Sequence, residues 1–395
     1  MESTSEEFDP VRKLRPNLYW YLTFRCNLAC AHCWVESSPR VDASEDLTAA
    51  EAMRVVQQIV ELGVRTCNMT GGEVLIRQDT PDILESLAGN GVGVALETNG
   101  LLISDRFLEV AGRLQRRRSL ELCISLDGGT PETHDLLRGS GTFRRTVGNL
   151  RRLAAAGVRF NLQCVLNRSN IETIPALYRL AAELSPSLTC LAFALLNPLG
   201  RGEGLVRDLG IGFADLDHIL ELVRDHRLGF AGETAVKAPP AAIPPRFLAL
   251  AFQQRGVSTL VSCQFPLLGV LPNGDITICA LSRRDPDLHY GNVRTTTLRR
   301  VWEEAQMDDL RDRYLGAAHL DGICGDCVWR PSCRGACRAW ARETGGSFDA
   351  PYPLCAALAE SGEFPRAYRL SAQKASLPPE AVAVWASAAR GEALP

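Results

Sequence analysis

Short apolar runs alternate with amphipathic stretches along the first half of the chain. The apolar runs are typical of buried strands, and the stretches between them have the period of helices. Strands that alternate with helices favour a parallel sheet. Six such units predict an α/β fold that forms a partial (β/α)6 barrel and not the closed eightfold barrel. The predicted strands are Leu18–Phe24, Arg65–Thr70, Val92–Glu97, Leu120–Leu126, Val158–Leu166 and Thr189–Leu196.

Start and stop signals support the helices between these strands. Thr48 followed by Glu51 predicts a capping box at a helix start. Thr80 followed by Pro81 predicts an N-cap and a first-turn proline. Ligands of parallel α/β folds bind at the carboxyl ends of the strands, so site residues are expected there. Helices are predicted to stop at Gly63, Gly91 and Gly157.

Composition changes along the chain predict five segments. Closely spaced prolines interrupt the strand–helix pattern, and a cysteine-rich stretch with little helical periodicity follows them. We interpret that stretch as a second domain organised around metal. The predicted segments are a mobile tail (1–16), the partial barrel (17–238), a linker (239–262), the cysteine-rich domain (263–360) and a C-terminal tail (361–395) with a short helix at Glu380–Arg390.

Charge and composition exclude several classes of protein. The chain has 43 basic and 46 acidic residues, and this net charge of −3 gives no reason to expect nucleic acid or an anionic membrane as a partner. A hydrophobic fraction of 46% is ordinary for a soluble globular protein. No apolar run approaches the roughly 18 residues of a membrane-spanning helix, and residues 1–16 lack the apolar stretch of a signal peptide. We therefore expect a cytoplasmic protein.

The 14 cysteines are the unusual feature of the composition. In a large chain without a secretion signal, cysteines at short regular spacings favour metal binding over disulfides. Cys26, Cys30 and Cys33 form a C-x3-C-x2-C pattern just after the first predicted strand. Three thiolates on one loop can bind three irons of a [4Fe–4S] cluster and leave the fourth iron open to a small molecule. The alternative is a zinc site with His32 as fourth ligand, although neighbours in sequence rarely both reach one metal.

Seven more cysteines lie in the C-terminal part of the chain. Four of them have the spacing C-x2-C-x5-C-x3-C, which a four-cysteine zinc ribbon would also explain. That alternative leaves the remaining three cysteines without a role. The seven are Cys263, Cys279, Cys324, Cys327, Cys333, Cys337 and Cys355.

The first cysteine loop resembles the signature of the radical S-adenosylmethionine superfamily, C-x3-C-x-aromatic-C. His32 stands at the aromatic position, and the resemblance implies that it lies near the adenine of the cofactor. Gly71-Gly72-Glu73 follows the second strand and resembles the segment that binds the methionine amino group in this family. Glycines allow a close backbone approach, and a carboxylate can accept from an ammonium group.

Two further stretches at strand ends extend the resemblance. Ser125-Leu-Asp127-Gly128 is followed by Arg138, which implies that Ser125 lies near the ribose and that Arg138 pairs with the methionine carboxylate. Turn or capping roles are the alternatives for Asp127 and for Asn99. The loop Pro198–Gly202 looks like a family loop without an assigned role. The cofactor-binding candidates are His32, Gly71, Gly72, Glu73, Asn99, Ser125, Asp127, Arg138 and Gln163.

The C-terminal cysteines look like the seven-cysteine SPASM domain, which carries two auxiliary iron–sulfur clusters. The resemblance assigns Cys263, Cys279 and Cys337 to the first auxiliary cluster. Several members of the family add an upstream cysteine to this cluster, but Arg255–Ser262 contains none. The first auxiliary cluster is therefore expected with three cysteine ligands. The alternatives for its fourth position are an open iron, a water, a non-cysteine ligand or a substrate ligand, and a smaller cluster is a further alternative. The second auxiliary cluster is assigned Cys324, Cys327, Cys333 and Cys355.

The resemblance implies a reaction as well as cofactors. S-adenosylmethionine bound to the reduced [4Fe–4S] cluster yields a 5′-deoxyadenosyl radical, which abstracts hydrogen from an unactivated C–H bond. An external reductant such as flavodoxin or ferredoxin is expected to supply the electron. A non-catalytic electron-transfer protein is a competing hypothesis, but it does not explain an open iron beside Gly71-Gly72-Glu73.

The sequence is similar to the mycofactocin and pyrroloquinoline quinone maturases, which modify peptides. The leading hypothesis is therefore a maturase that oxidises or crosslinks a ribosomally made precursor peptide, with or without a separate peptide-recognition protein. The alternative is an epimerase or dehydrogenase that acts on a small molecule such as an aminoglycoside-type sugar. Both hypotheses keep the same radical chemistry.

Four cysteines lie outside the predicted clusters, all in predicted strands. A thiol can return a hydrogen atom to a substrate radical, and Cys123 shares a strand face with Ser125. Cys123 and Cys190 are therefore hydrogen-donor candidates, whereas simple burial in the core is the alternative. The four are Cys67, Cys123, Cys164 and Cys190.

Overall fold

The computed structural model describes residues 17–244, 247, 257–259, 267–304, 307, 310 and 319–374. Three predictions lie outside these residues: the ligand role of Cys263, the tail 1–16 and the helix Glu380–Arg390. No helix of the described part combines the length and the hydropathy needed to cross a bilayer.

One ten-stranded sheet forms the centre of the described part, in the order β10-β9-β1-β2-β3-β4-β5-β6-β7-β8. Its neighbouring strands are parallel, except that β9 and β10 are antiparallel. The strands are β1 (Asn17–Tyr21), β2 (Thr66–Thr70), β3 (Gly93–Thr98), β4 (Leu120–Ser125), β5 (Phe160–Leu166), β6 (Leu188–Leu195), β7 (Glu233–Lys237), β8 (Val257–Thr259), β9 (Leu267–Val270) and β10 (Ile276–Thr277).

At least one helix separates each pair of successive strands from β1 to β7. In the first part these are α1 (Ala49–Leu62), α2 (Thr80–Gly89), α3 (Asp105–Arg116), α4 (Pro131–Arg138), α5 (Thr142–Ala155), α6 (Ile174–Glu183), α7 (Val206–Leu209) and α8 (Phe213–His226). In the C-terminal part they are α9 (Leu298–Trp302), α10 (Gly322–Gly325), α11 (Arg330–Cys333), α12 (Arg338–Gly345), α13 (Pro353–Glu360) and α14 (Leu370–Lys374).

The six predicted strands are β1–β6, and their parallel order confirms the predicted α/β fold class. Four strands were not predicted. Of these, β8 lies in the predicted linker, and β9 pairs in parallel with β1 at the other edge of the barrel sheet. The sheet therefore contains strands from both sides of the predicted domain boundary at 263. The proposed division of the chain into segments remains a prediction.

The predicted helix ends are observed with one shift. Thr48 and Glu51 form the expected capping box, with the Glu51 carboxylate accepting from the Thr48 backbone N–H at 2.8 Å. The prediction that Thr80 is an N-cap is wrong by one residue, because Asp79 occupies that position and Thr80 begins α2. The Thr80 hydroxyl instead donates to the Val74 carbonyl at 2.6 Å, which anchors the helix to the preceding turn.

Alternation along the strands separates two kinds of side chain. Cys67 and Cys164 are fully buried among the apolar residues that pack against the helices, which fits the core alternative for both. The other face carries half-buried side chains, including Cys123 and Cys190. Asn161 stands between these two cysteines in register, since it pairs with Cys123 on β4 and with Cys190 on β6.

The C-terminal part packs against the beginning of the barrel. Glu36, in the cysteine loop after β1, forms ion pairs with Arg283 at 2.9 Å and with Arg284. On the helical side, Gln58 of α1 donates to the Val293 carbonyl at 3.1 Å. The first of these contacts places the segment just after Cys279 against the first cysteine loop.

Candidate active site and metal centres

The first cysteine loop leaves β1 and brings three thiols together. Cys26 and Cys30 are buried and Cys33 is half-buried. The pKa of Cys26 is raised to about 12, chiefly by burial and to a smaller extent by the nearby Glu73, Cys30 and Cys33. Thiols in this position become thiolates only beside a compensating positive charge, and a bound metal supplies one.

Polar groups of the chain already point at these sulfurs. The backbone N–H of Leu28 lies 3.4 Å from the Cys26 sulfur, and that of Ser37 lies 3.3 Å from the Cys33 sulfur. The Asn99 amide nitrogen lies 3.8 Å from the Cys26 sulfur. The Asn99 oxygen accepts from the Leu101 N–H at 3.0 Å, so the turn role left open for Asn99 is also present.

The Gly71-Gly72 pair fits against the chain that enters the cysteine loop. Gly72 N–H donates to the Thr23 carbonyl at 2.7 Å, and a Cβ on Gly71, whose φ is +143°, would stand 2.3 Å from that oxygen. A Cβ on Gly72 would lie equally close, 2.3 Å, to the Arg25 carbonyl. Only glycine allows this approach.

Glu73 is fully buried between the ends of β2 and β3. Its carboxylate accepts from the Thr98 hydroxyl at 2.7 Å, the Asn99 N–H at 2.8 Å and the Leu75 N–H at 3.0 Å. Burial raises its pKa, and these three donors oppose the rise. The carboxylate therefore links the ends of β2 and β3, where the predicted cofactor site lies.

Asp127 connects three parts of this site. Its fully buried carboxylate lies 2.5 Å from Arg138 Nε and 3.2 Å from His32 Nε2, and it accepts from the Val165 N–H at 2.8 Å. Burial raises the pKa of Asp127, but Arg138 and His32 outweigh it and hold that pKa below its usual value. Burial also lowers the pKa of His32 to about 4, so its imidazole is neutral at neutral pH.

The face of the sheet that carries Cys123 also carries Ser125, which pairs in register with Gln163 of β5. The Gln163 amide oxygen accepts a hydrogen bond from Lys237, at the end of β7. Burial raises the pKa of Cys123 to about 12 and that of Cys190 to about 11, so both are neutral thiols.

Sequence reasoning missed Lys237. A signal was present: only three of the 43 basic residues are lysine, and Lys237 is one of them. It lies on the half-buried face of the sheet and forms no ion pair with a carboxylate of the described residues.

The loop Pro198–Gly202, whose role the sequence left open, holds the first cysteine loop. Arg201 Nε donates to the Cys30 carbonyl at 2.8 Å, and its Nη2 donates to the Ser37 carbonyl at 2.7 Å. A Cβ on Gly200, whose φ is +54°, would stand 2.6 Å from the Trp34 carbonyl. The two loops therefore pack backbone to backbone.

Four of the C-terminal cysteines line one pocket beside α10 and α13. Burial raises the pKa of Cys355 well above its usual value, and the other three thiols add to the rise. The Tyr352 N–H lies 3.2 Å from the Cys324 sulfur. The pocket cysteines are Cys324, Cys327, Cys333 and Cys355, the set that the resemblance assigns to the second auxiliary cluster.

Cys337 belongs to a different group. Burial raises the pKa of Cys279 to about 12, and the next contribution comes from Cys337. The Trp340 N–H lies 3.4 Å from the Cys337 sulfur. A zinc ribbon would have required Cys337 in the pocket in place of Cys355, so the geometry favours the two auxiliary sets.

Buried polar atoms without a partner lie close in sequence to the cysteines. Such atoms are rare in folded proteins and indicate an acceptor or donor that protein atoms do not supply. The residues present therefore fit sulfur-rich clusters, whose sulfides accept hydrogen bonds. Among the described residues, these atoms include His32 Nδ1 and Ser37 Oγ near the first loop, Ser282 Oγ three residues after Cys279 and Trp340 Nε1 three residues after Cys337. Arg338 Nε is another such atom, and its guanidinium packs on Gly335 of the four-cysteine pocket.

Two family models match the chain. Residues 20–181 match the model described as "Radical SAM superfamily", and residues 263–328 match SPASM, described as "Iron-sulfur cluster-binding domain". The first match spans the strands that carry the first cysteine loop and the candidate cofactor residues. The second begins at Cys263 and includes Cys279, Cys324 and Cys327.

Relatives match along most of the chain. The mycofactocin maturase MftC of Mycobacterium ulcerans is 31% identical over 88% of this chain and 91% of its own length. The AdoMet-dependent heme synthase of Methanosarcina barkeri is 29% identical over 85% of this chain and 95% of its own length. Among solved structures, Streptococcus suis SuiB bound to S-adenosylmethionine superposes with a TM-score of 0.66, at 18% identity over 86% of this chain and 77% of SuiB, which supports the fold.

Proposed function

Because the chain belongs to the radical S-adenosylmethionine superfamily and carries a SPASM iron–sulfur domain, we propose that it is a maturase that oxidises or crosslinks a ribosomally made precursor peptide. The observation that carries the proposal is the match to a mycofactocin maturase along nearly the whole of both chains. The barrel and the auxiliary cysteines are both included in that match.

The cofactors define the chemistry on which the proposal stands. S-adenosylmethionine and a [4Fe–4S] cluster together supply a 5′-deoxyadenosyl radical that can abstract hydrogen from an unactivated C–H bond. We propose Cys26, Cys30 and Cys33 as the cluster ligands, on a loop whose backbone N–H groups already face two of the three sulfurs.

Arg138 is the proposed partner of the cofactor carboxylate. Asp127 holds its Nε, while among the described residues neither Nη atom has a hydrogen-bond partner. The guanidinium is thus oriented by one carboxylate and can present its free edge to another. Asp127 itself is surrounded by Arg138, His32 and the β5 backbone, so its proposed role is to position these groups.

The half-buried face of the sheet is the proposed substrate surface. It offers the Lys237 ammonium and the Gln163 amide for hydrogen bonds and the neutral thiols of Cys123 and Cys190 as hydrogen-atom donors. Oxidation or crosslinking leaves an electron to be removed, and the auxiliary clusters are the proposed acceptors. Epimerisation would instead consume a hydrogen atom from one of the two thiols.

The first test is formation of 5′-deoxyadenosine from S-adenosylmethionine by anaerobically reconstituted protein with dithionite. The control is the Cys26→Ala/Cys30→Ala/Cys33→Ala variant, which is expected to form none. Candidate precursor peptides are then added, with and without a peptide-recognition protein, and with flavodoxin or ferredoxin as reductant. A loss of mass that depends on S-adenosylmethionine supports the maturase proposal, whereas unchanged peptides in every combination contradict it.

The second candidate function is radical chemistry on a small molecule. The observation that favours this candidate is the match to a heme synthase along 95% of that enzyme. The name of that relative gives a small-molecule product, so similar sequences are not restricted to peptide substrates. Aminoglycoside-type sugars and tetrapyrroles are the compounds to test. If one of these stimulates 5′-deoxyadenosine formation and no peptide does, the second candidate replaces the first. If neither the protein alone nor any substrate gives 5′-deoxyadenosine, a pure electron-transfer role remains.

A further inference from the structure

Arg338 is a buried cation in the C-terminal part of the chain, only 2% exposed. It follows Cys337 directly and begins α12. Its Nη1 donates to the Phe348 carbonyl at 3.0 Å and to the Ala350 carbonyl at 2.7 Å, and its Nη2 donates to the Gly335 carbonyl. These carbonyls fix the plane of the guanidinium but carry no negative charge.

The charge of Arg338 has no counterpart among the described carboxylates. Arg342, one helical turn later, has carboxylate partners that balance its charge. It pairs with Asp285 at 2.6 Å and with Asp287 at 3.1 Å. Arginine keeps its proton under all ordinary conditions, so burial cannot neutralise it. A buried charge without an opposite charge is strongly unfavourable. The balancing charge must therefore come from a group other than these side chains.

The position of the guanidinium identifies that group. A Cβ on Gly335 would stand 2.5 Å from Arg338 Cζ, so the guanidinium lies flat against this glycine. Gly335 lines the same pocket as Cys324, Cys327, Cys333 and Cys355.

One N–H of this guanidinium is unused. Arg338 Nε is buried and has no hydrogen-bond partner within the described parts of the chain, although both Nη atoms are engaged. The carbonyl contacts orient the group, and the remaining donor has no acceptor among the described protein atoms. A sulfur of an iron–sulfur cluster is an acceptor of the right kind in the adjoining pocket.

We propose that Arg338 is the built-in counter-charge of the auxiliary iron–sulfur centre held by Cys324, Cys327, Cys333 and Cys355, and that its free Nε–H donates to a sulfur of that centre. A nearby positive charge and an N–H donor both stabilise the more negative, reduced state, so they raise the reduction potential. Arg338 is a positioning residue that tunes the electron affinity of this cluster.

The test uses the Cys26→Ala/Cys30→Ala/Cys33→Ala background, in which only the auxiliary clusters remain. Arg338→Gln and Arg338→Lys are compared by redox titration followed by EPR spectroscopy. Arg338→Gln is expected to lower the midpoint potential of one auxiliary cluster. Arg338→Lys keeps the charge, but lysine cannot reach all three carbonyls. We therefore expect it to lower the melting temperature as much as Arg338→Gln does and to shift the midpoint potential less than Arg338→Gln does. Arg152→Gln, which removes a surface arginine paired with Asp105, should leave both potentials unchanged.

A second readout needs no substitution at Arg338. Protein labelled with 15N-arginine in the same background is expected to show a weak 15N coupling to a reduced auxiliary cluster by ENDOR. The coupling should persist in Arg330→Lys, which changes the arginine that lines the pocket itself, and disappear in Arg338→Lys. Unchanged potentials in an iron-replete Arg338→Gln protein, or no 15N coupling in the labelled parent, would overturn the proposal.

Discussion

The cysteine loop after β1 and the C-terminal cysteine pocket both gather thiols, but their surroundings differ in charge and in closure. Around the loop, the buried Asp127 pairs with Arg138 and faces His32, while the buried Glu73 accepts from one hydroxyl and two backbone N–H groups. Around the pocket, the buried Arg338 is held by carbonyls alone. The loop offers three thiols, which would leave one iron of a [4Fe–4S] cluster open, whereas the pocket offers four.

This difference corresponds to two tasks. An open iron beside a charge-balanced pair such as Asp127 and Arg138 would bind and release a zwitterionic cofactor without leaving either of these two charges uncompensated. A closed four-thiolate centre beside a fixed cation cannot take a ligand, but the cation favours the gain of an electron. We expect the ion pair of Asp127 and Arg138 to contribute most to stability and cofactor binding. Close backbone packing around the loop should contribute less, and the surface contacts between the two parts should contribute least.

The largest effect is expected from Asp127→Asn. The substitution keeps the shape of the side chain but leaves Arg138 buried without its carboxylate and replaces the carboxylate that faces His32 with a neutral amide. Removing one partner of a buried pair costs about 3–5 kcal/mol. We expect a fall of that size in the free energy of unfolding, measured by denaturant titration, together with loss of S-adenosylmethionine binding.

The matched control for this prediction is Asp82→Asn. Asp82 also pairs with an arginine, Arg106, at 2.6 Å, but both side chains are more than half exposed. Exposed pairs contribute less than about 1 kcal/mol, so stability and cofactor binding should change little. Equal effects of the two substitutions would show that burial of Asp127 has no special role.

The next effect concerns the close contact at Gly72. A Cβ at this position would stand 2.3 Å from the Arg25 carbonyl, which belongs to the chain just before Cys26. Gly72→Ala must push that chain away, and overpacking of this kind costs about 1–3 kcal/mol. We expect iron bound per chain to fall by the equivalent of one cluster, with the auxiliary EPR signals intact.

Gly148→Ala is the control for Gly72. Gly148 lies inside α5, and a Cβ there would meet nothing within 4 Å. The substitution should therefore stabilise the helix by about 0.5–1 kcal/mol and leave iron content unchanged. If Gly148→Ala also loses iron, the loss arises during purification or reconstitution and not from the close contact at Gly72.

A smaller effect is expected from Arg201→Lys. Arginine spans the carbonyls of Cys30 and Ser37 with two separate nitrogens, and an ammonium can satisfy only one of these positions well. The three thiols remain, so the cluster should form, but its loop should be less well fixed. Groups that orient metal ligands typically matter about 10–100-fold for activity. We expect a decrease near the lower end of that range in 5′-deoxyadenosine formation, and a wild-type rate would contradict this role.

The sequence was sufficient where the signal was local. The strands β1–β6 have apolar runs bounded by helix caps, and the first cysteine loop falls within eight residues. The short strands β8 and β10 have no such signal, because their pairing depends on neighbours far away in the chain. The grouping of the C-terminal cysteines likewise depended on resemblance, since spacing alone also allowed a zinc ribbon.

Charge partnerships were the least predictable part of the site. Asp127 was expected at the cofactor, but its contacts with His32, Arg138 and the backbone of β5 join three separate elements. Nothing in the local sequence distinguishes Arg338, which lacks a described carboxylate partner, from Arg342, which has two. Burial and ion pairing are properties of the assembled fold, and residue type alone does not reveal them.

The smallest expected effect lies at the surface, where Arg294 of the C-terminal part contacts Glu51 of α1 at 2.8 Å. The hydrogen bond from Arg294, with those from Thr48, lowers the pKa of Glu51 from 4.5 to about 2. A carboxylate whose pKa is lower in the folded state stabilises the fold above its unfolded pKa, and this contribution is lost as the pH falls toward 2. The wild-type protein should therefore lose stability more steeply than Glu51→Gln below about pH 4.5. Glutamine still accepts in a capping box, so the difference isolates the charge.

Melting temperatures measured between pH 6 and pH 3 check this prediction, and both proteins carry the same clusters, so any acid loss of iron affects them alike. Glu109→Gln is the control, because Glu109 is exposed on α3 and forms no ion pair among the described residues. Parallel pH curves for wild type and Glu51→Gln would mean that the ion pair between Arg294 and Glu51 does not stabilise the contact between the C-terminal part and α1. In that case this contact depends on the buried contacts beneath it, such as the hydrogen bond from Gln58 to the Val293 carbonyl.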